Sequence, residues 1–470
     1  MAKVVVGLDL GTSGLKGLAL AEDGEIVAEA EADCGIDSPQ SGWAEADPLA
    51  WMAAVDTVLA DLKAHLGRRD VAAMGVDGQM HGVVLVDADG SPTRPAVLWP
   101  DRRAEDQTAL WRDLGTEDRA RLANPISAGM AGPILAWLKE HESDVLASSA
   151  LALQPKDFVR SSLGGPPVTE RSDASATLLW DIVADDWARE IVEQIGIPIE
   201  LLPTVRRSDE VVAEGVDPPS LGQGDIALVT GAADTAAALF ACGGLRTGQV
   251  HINLGTGAQV TIGVSEPHTN ADAQANLFAD ADDGWYAMAA VQNAGLALAS
   301  VRSWLAMGWE EFFDSATECD AGAGGVSMLP FLSGERAAIA SASSTGAWIG
   351  LTTRTTREHL ARAAVEGVAF TLARAVALLD DSTDVIRLTG GGARQPLLPQ
   401  LLADVTQRPV EVIRLRSPSA LGAALLAARG VGLSIPTDPH AVSTQLDPGG
   451  RGRLAQAFEL WDERRPLADH

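Results

Sequence analysis

Glycine-rich segments hold the residue types that could do chemistry. The first reads Gly7-Leu-Asp-Leu-Gly-Thr-Ser-Gly-Leu-Lys16. A tight glycine turn between two strands lets backbone N–H groups approach an anion, and the Thr12 and Ser13 hydroxyls and the Lys16 ammonium add to it. Phosphate binding at Gly11, Thr12, Ser13 and Lys16 is the chemistry this predicts. Asp9, at the strand end facing the turn, is placed to hold Mg2+ through water, because Mg2+ takes few carboxylates and retains its hydration. The plain alternative is a hairpin turn with a capping Asp. Neither a GxxxxGK[ST] loop nor a GxGxxG dinucleotide turn occurs. A second nest is expected at Gly255, Thr256 and Gly257. A third loop, Gly390, Gly391, Gly392 and Ala393, could pass flat backbone under a planar group such as adenine. A tight turn would explain any one of these loops; three in this order favour a nucleotide.

The elements that must position these loops can be read around them. Lys3 to Leu10, Leu15 to Ala21 and, after an Asp23-Gly24 turn, Glu25 to Ala30 form a predicted β-meander. A second hairpin is predicted from Val83–Val86 through Asp89-Gly90 to Ala96–Trp99. Pro48 to Leu66 carries apolar residues at helical spacing, with Asp47 as N-cap. Later helices are expected over Glu358–Leu379 and Ser419–Ala428, with a short amphipathic piece around Phe458–Trp461.

Internal echoes organise the chain. Leu8-Asp-Leu-Gly-Thr-Ser-Gly14 returns as Ile252-Asn-Leu-Gly-Thr-Gly-Ala258, and Asp225 to Asp234 aligns without gaps with Asp384 to Ala393. Two similar α/β domains follow, residues 1–243 and 244–470, with a cleft between them. The first would carry one phosphate loop and the second domain the other two glycine loops.

Composition bounds the partners. The 470 residues carry 64 acidic and 35 basic side chains, a formal charge of −29, and no basic patch. Such a chain repels nucleic acid and anionic membrane surfaces, so neither is expected as a partner. Cys34, Cys242 and Cys319, without CxxC spacing, argue against disulfides and structural zinc. No apolar run suits a signal or membrane span, and a cytoplasmic protein is expected.

Asp-x-Gly-Thr-Ser, a later Leu-Gly-Thr and a final Thr-Gly-Gly-Gly-Ala resemble the two phosphate motifs and the adenosine motif of the actin-like (ribonuclease H-like) ATPases. More narrowly, the chain is similar to the FGGY carbohydrate kinases and, within them, to the xylulokinase branch. That resemblance rests on Gly78-Gln-Met-His-Gly82 and on Gly346-Ala-Trp-Ile-Gly-Leu351 followed by His359 to Glu366. Gly42 to Pro48, Leu98 to Arg103, Pro155-Lys-Asp157 and Leu332 to Arg336 support it. It implies two actin-like domains, ATP and Mg2+ as cofactors, and transfer of the γ-phosphoryl group to a ketopentose, D-xylulose first. Another pentulose or a polyol is the alternative; a chaperone-like or cytoskeletal ATPase and a sugar-sensing pseudokinase are alternatives of another class. A homodimer is compatible with the family.

Residue by residue, the resemblance makes Asp234 the catalytic base and, with Asp9, a metal-site carboxylate. A carboxylate at a strand end among small residues suits a general base, whereas a helix N-cap would explain it structurally. Gln79, Met80 and His81 become sugar-loop residues, with His81 expected to donate to a sugar hydroxyl. Trp99, Asp101, Arg103 and Thr235 complete the implied substrate set. Thr235, Pro100 and Ala337-Ala338-Ile339 depart from the xylulokinase pattern and leave the identity of the sugar open.

Overall fold

Lys3–Leu10 (β1) is apolar on both faces, with Val4, Val5, Val6, Leu8 and Leu10 all buried, so it needs cover above and below. It pairs antiparallel with Gly14–Ala21 (β2), which pairs with Ile26–Asp33 (β3), giving the expected meander. Helix Pro48–Leu66 (α1) starts where Asp47 Oδ1 accepts from Leu49 N at 2.9 Å and lays Trp51, Val55, Val58, Leu59 and Leu62 against one face. Asp70–Gly78 (β4) runs parallel to β1 on its other side. Val211–Val216 (β5) and Ile226–Val229 (β6) complete the row β5-β6-β4-β1-β2-β3, and Ala232–Ala233 (β7) adds to the end of β4. Helix Asp234–Ala241 (α2) follows at once. The computed structural model describes residues 3–245, 249–336, 339–379, 383–436, 442–450 and 452–469; Ala337 and Ala338, named above for their departure from the pattern, lie outside them.

The second half repeats this plan. Its strands are Val250–Leu254 (β8), Ala258–Val264 (β9), Asn276–Ala279 (β10) and Trp285–Val291 (β11). After helices Gly295–Trp304 (α3) and Arg357–Leu379 (α4) come Ile386–Thr389 (β12), Val410–Ile413 (β13), helix Pro418–Gly430 (α5), Val442–Leu446 (β14) and helix Gly452–Arg464 (α6). The order is β10-β11-β9-β8-β12-β13-β14, with β8 antiparallel to β9 and parallel to β12, matching β1 between β2 and β4. The α4, α5 and α6 helices fall where helical spacing predicts them.

Two expectations need correction. The echo of Asp225–Asp234 in Asp384–Ala393 does not join equivalent strands: β6 lies two places from β1, whereas β12 is the immediate neighbour of β8 and so corresponds to β4. What the two segments share is the local chemistry of a strand entering a Thr-Gly turn. By position, the third glycine loop corresponds to the Gly78–Gly82 loop. The hairpin over Val83–Trp99 is likewise only partial. Val83 and Val97 exchange backbone hydrogen bonds at 2.8 and 3.0 Å, but Val84–Val86 pairs with Leu151–Leu153, and Ala96–Val97 with Glu45–Ala46. Being buried, these short strands must satisfy both backbone edges and so recruit partners from elsewhere.

Helix α5, although late in sequence, packs on the first sheet, where Ala420, Leu421, Ala424 and Ala427 join its core. Contact is backbone-close: a Cβ on Gly75 would stand 2.3 Å from the Ala423 carbonyl oxygen, and one on Gly7 1.8 Å from that of Ala420. Gly75→Ala must therefore push the helix off the strands that end at Asp9 and Asp77. It should cost about 2–3 kcal/mol in denaturant unfolding, while Gly35→Ala, with no atom within 4 Å, should be near neutral. Equal midpoints for the two variants would refute this tight packing.

Candidate active site

The first two glycine turns are built alike. Gly11 N donates to Gly14 O at 2.9 Å between β1 and β2, and Gly255 N donates to Gly257 O at 2.9 Å between β8 and β9. Each turn closes on one backbone bond and leaves Thr12 and Ser13, or Thr256, at its tip, and Ser13 and Thr256 are exposed. Lys16 is exposed on β2, directly across from Asp9. The Gly255 and Thr256 carbonyls accept from Gly295 and Leu296 N, so α3 begins against the second turn. Gly390, at φ 94°, presses on the same turn; a Cβ there would lie 2.4 Å from the Leu254 carbonyl oxygen. Gly392 packs on the Leu254 side chain and Ala393 is buried, whereas Gly391 is exposed with open space around it. The structure thus brings together the second and third glycine loops.

Beneath the first turn lie three carboxyls. Asp9 and Asp77 stand in register one residue before the ends of the parallel strands β1 and β4, as part of a repeated Gly-apolar-Asp, Gly7-Leu-Asp9 beside Gly75-Val-Asp77. Asp234 follows β7, whose Ala232 pairs with Asp77. Burial lifts the Asp234 carboxyl to about 7, with the Asp9 charge adding to the rise. Its Oδ1 accepts from Thr235 N at 2.5 Å and from Thr235 Oγ1 at 3.1 Å, which fixes the plane of the carboxyl. Gln259 Nε2 of β9 reaches Thr235 Oγ1 at 3.2 Å, so the second sheet touches this residue directly. Behind it, Ala233 N donates to Ser172 Oγ, which donates to the buried Glu170 carboxylate. Sequence reasoning missed Asp77, Gln259, Ser172 and Glu170. The repeated Gly-apolar-Asp was a usable signal for Asp77; the others come from distant segments.

The Gly78–Gly82 loop stands beside the first turn. Gln79 is buried, its N donates to Leu10 O at 2.9 Å and its Nε2 to Gly11 O at 3.4 Å, tying this loop to the phosphate turn. Met80 is buried in the first core, among residues such as Val83 and Leu85. His81 takes φ 70°, a strained value for a non-glycine residue and a mark of a functional constraint. Its Nδ1 lies 2.6 Å from the Ala176 carbonyl, so Nδ1 carries the hydrogen. Burial lowers its pKa to about 4. A neutral ring donating from Nδ1 has an acceptor at Nε2, which reverses the expected role of His81 as donor.

Trp99 is partly exposed, donates from Nε1 to Thr12 Oγ1 at 3.2 Å, and carries the Arg336 guanidinium 5.8 Å from its ring centroid. Arg336 comes from the second half of the chain, so this contact joins the two halves. Asp101 and Arg103 engage each other and the fold, with Arg103 Nη1 left without a partner among the described residues. Asp101 accepts from Arg103 N, Nε and Nη2 at 2.8, 2.9 and 2.8 Å and from Ala44 N at 2.6 Å. Arg103 also pairs with Glu45 at 2.8 Å and lies 3.6 Å over Trp43. Both are buried one shell behind Trp99.

Comparison with known proteins agrees in order and extent. Residues 4–241 match the N-terminal domain of the FGGY family of carbohydrate kinases, and residues 250–431 its C-terminal domain. A xylulose kinase of Klebsiella pneumoniae is 32% identical over 442 residues, covering 90% of this chain and 88% of that protein. One of Streptomyces rubiginosus is 33% identical over 471 residues, covering 98% and 94%. The crystal structure of xylulose kinase from Rhodospirillum rubrum superposes with a TM-score of 0.88 at 27% identity over 98% of this chain and 97% of that one. No helix among the described residues is long and apolar enough to cross a membrane. With both family domains present in order and paired glycine turns on two sheets of one plan, the chain belongs to the FGGY family of carbohydrate kinases and is a sugar kinase of actin-like fold, acting on a sugar and ATP.

Proposed function

We propose that this sugar kinase transfers the γ-phosphoryl group of MgATP to a ketopentose, D-xylulose at O5. The observation that carries the mechanism is the Asp234 carboxyl, held at Oδ1 by Thr235 and without a partner at Oδ2 among the described residues, next to the first glycine turn and the His81 loop. The names of the relatives support the sugar.

In this mechanism Asp234 Oδ2 accepts the proton of the attacking hydroxyl as the sugar O–P bond forms and the bond from the γ-phosphorus to the bridging oxygen breaks, with ADP leaving. Gly11, Thr12, Ser13 and Lys16 on one wall and Gly255, Thr256 and Gly257 on the other hold the phosphates. Gly390, Gly391, Gly392 and Ala393 lie under the adenine. His81 Nε2 accepts from a sugar hydroxyl, Gln79 couples the sugar loop to the phosphate turn, and Trp99 walls the sugar. Met80, Asp101 and Arg103 act from behind, by fixing that wall. Asp9 and Asp234 suit a hydrated Mg2+ in donor chemistry, being hard carboxylate oxygens, with the Asp9 charge raising the proton affinity of Asp234. Bound there, the ion would neutralise charge on the transferring phosphate. The division at residues 243/244 is proposed as the boundary between the two walls.

Substrate choice is tested by a coupled assay over D-xylulose, D-ribulose, L-xylulose, L-ribulose, glycerol and pentitols. The highest kcat/KM is expected for D-xylulose; turnover of a polyol with every pentulose inert would overturn the assignment. A pH profile tests the base. Asp234 must be ionised to accept a proton, so kcat/KM for the sugar should fall about tenfold per unit on the acid side of its pKa. That limb starts from about 7 in the free protein and moves lower when Mg2+ is saturating, because a cation favours the carboxylate. A profile flat down to pH 5 at low Mg2+ would contradict Asp234 as base.

A further inference from the structure

Asp77 is fully buried, and among the described residues neither of its carboxyl oxygens accepts from an amide, hydroxyl or cationic donor; its hydrogen-bonding contact is with the Asp9 carboxyl, another acid. Its neighbours make this worse. Asp9 stands beside it in register, and Asp234 lies beyond Ala232 on its other flank. The nearby Lys156 is already engaged by Asp157 at 2.6 Å and Asp173 at 3.2 Å. Asp77 therefore holds up no turn, cap or ion pair. A buried carboxyl without donors is unfavourable, and two like neighbours add to that. The arrangement lacks a group that can offer hydrogens to several carboxyl oxygens and offset their charge.

A hydrated divalent cation does both. Among the described residues no three His, Cys, Asp or Glu side chains stand close enough to ligate one ion directly. Mg2+ with its waters retained is broader than the bare ion and can be held by carboxylates through those waters. We propose that Asp77 is a third carboxyl of the divalent-cation site, and that with Asp9 and Asp234 it lets the protein hold one hydrated Mg2+ before nucleotide arrives. This rests on assigning the cation to Asp9 and Asp234.

Mn2+ is the probe. Free Mn2+ is followed by electron paramagnetic resonance while the full chain is titrated without nucleotide, and Mg2+ is then added as competitor. The wild type should take up one Mn2+ per chain that Mg2+ displaces. Asp77→Asn, which keeps shape and removes charge, should weaken uptake at least about tenfold, with an unfolding temperature in EDTA equal to or above the wild type's. Asp77→Ser serves if the Asn variant misfolds. Undiminished uptake by Asp77→Asn alongside weakened uptake by Asp9→Asn would overturn the third carboxyl and leave the Asp9 site standing. Uptake unchanged in both variants would overturn both assignments, and no nucleotide-free uptake by the wild type would overturn the proposal.

Discussion

Asp234→Ala should lower turnover of the sugar by about a thousandfold, the scale of a positioned general base, while MgATP still binds. Asp234 stands at the start of α2, with Oδ1 engaged, among the described residues, only by its own neighbour Thr235. Removing the carboxyl breaks no long-range contact and relieves a buried charge beside Asp9. The variant should therefore unfold at or above the wild-type temperature, separating loss of chemistry from loss of fold. Asp234→Asn, which retains the Thr235 bonds through its amide oxygen, should be equally slow. An active Asp234→Ala enzyme would eliminate the mechanism.

Asp9→Asn should reduce kcat by about a hundredfold at ordinary Mg2+ and restore part of it at high Mg2+, since a lost carboxylate weakens the hold on the cation. The same change removes the charge that helps raise Asp234, so the acid limb of the pH profile should move to lower pH. A merely structural Asp9 would give neither the Mg2+ rescue nor the shifted limb. Kinetics over a Mg2+ series at two pH values distinguish the cases; a uniform drop independent of both would contradict its assignment.

The site was legible where function sits in one short segment. Gly7–Lys16 and Leu254–Gly257 carry their own turn geometry, so residue types and order sufficed, and the echo between them reports a real equivalence of β1-β2 with β8-β9. Met80 shows where that stops. Its neighbours Gln79 and His81 reach the turn and the Ala176 carbonyl, but Met80, in the loop between them, packs into the core. Asp101 and Arg103 were implied as ligands by resemblance alone; their partners Ala44 and Glu45 lie more than fifty residues away in sequence and hold both side chains, leaving Arg103 Nη1 without a partner among the described residues. Helix α5 was visible as a helix, yet its seat on the first sheet depends on Gly7 and Gly75 being bare at one face, a relation between segments that no local pattern carries. Asp77 was obscured because its strand is otherwise apolar and pairing, not sequence proximity, brings it to Asp9.

Transfer to a terminal pentulose hydroxyl is tested most directly by phosphorus NMR of a reaction containing the protein, MgATP and D-xylulose. One phosphate ester at C5 should accumulate in step with ADP, and Asp234→Ala should form none. Release of inorganic phosphate without ester, or an ester formed equally by the Asp234→Ala variant, would contradict phosphoryl transfer by this site.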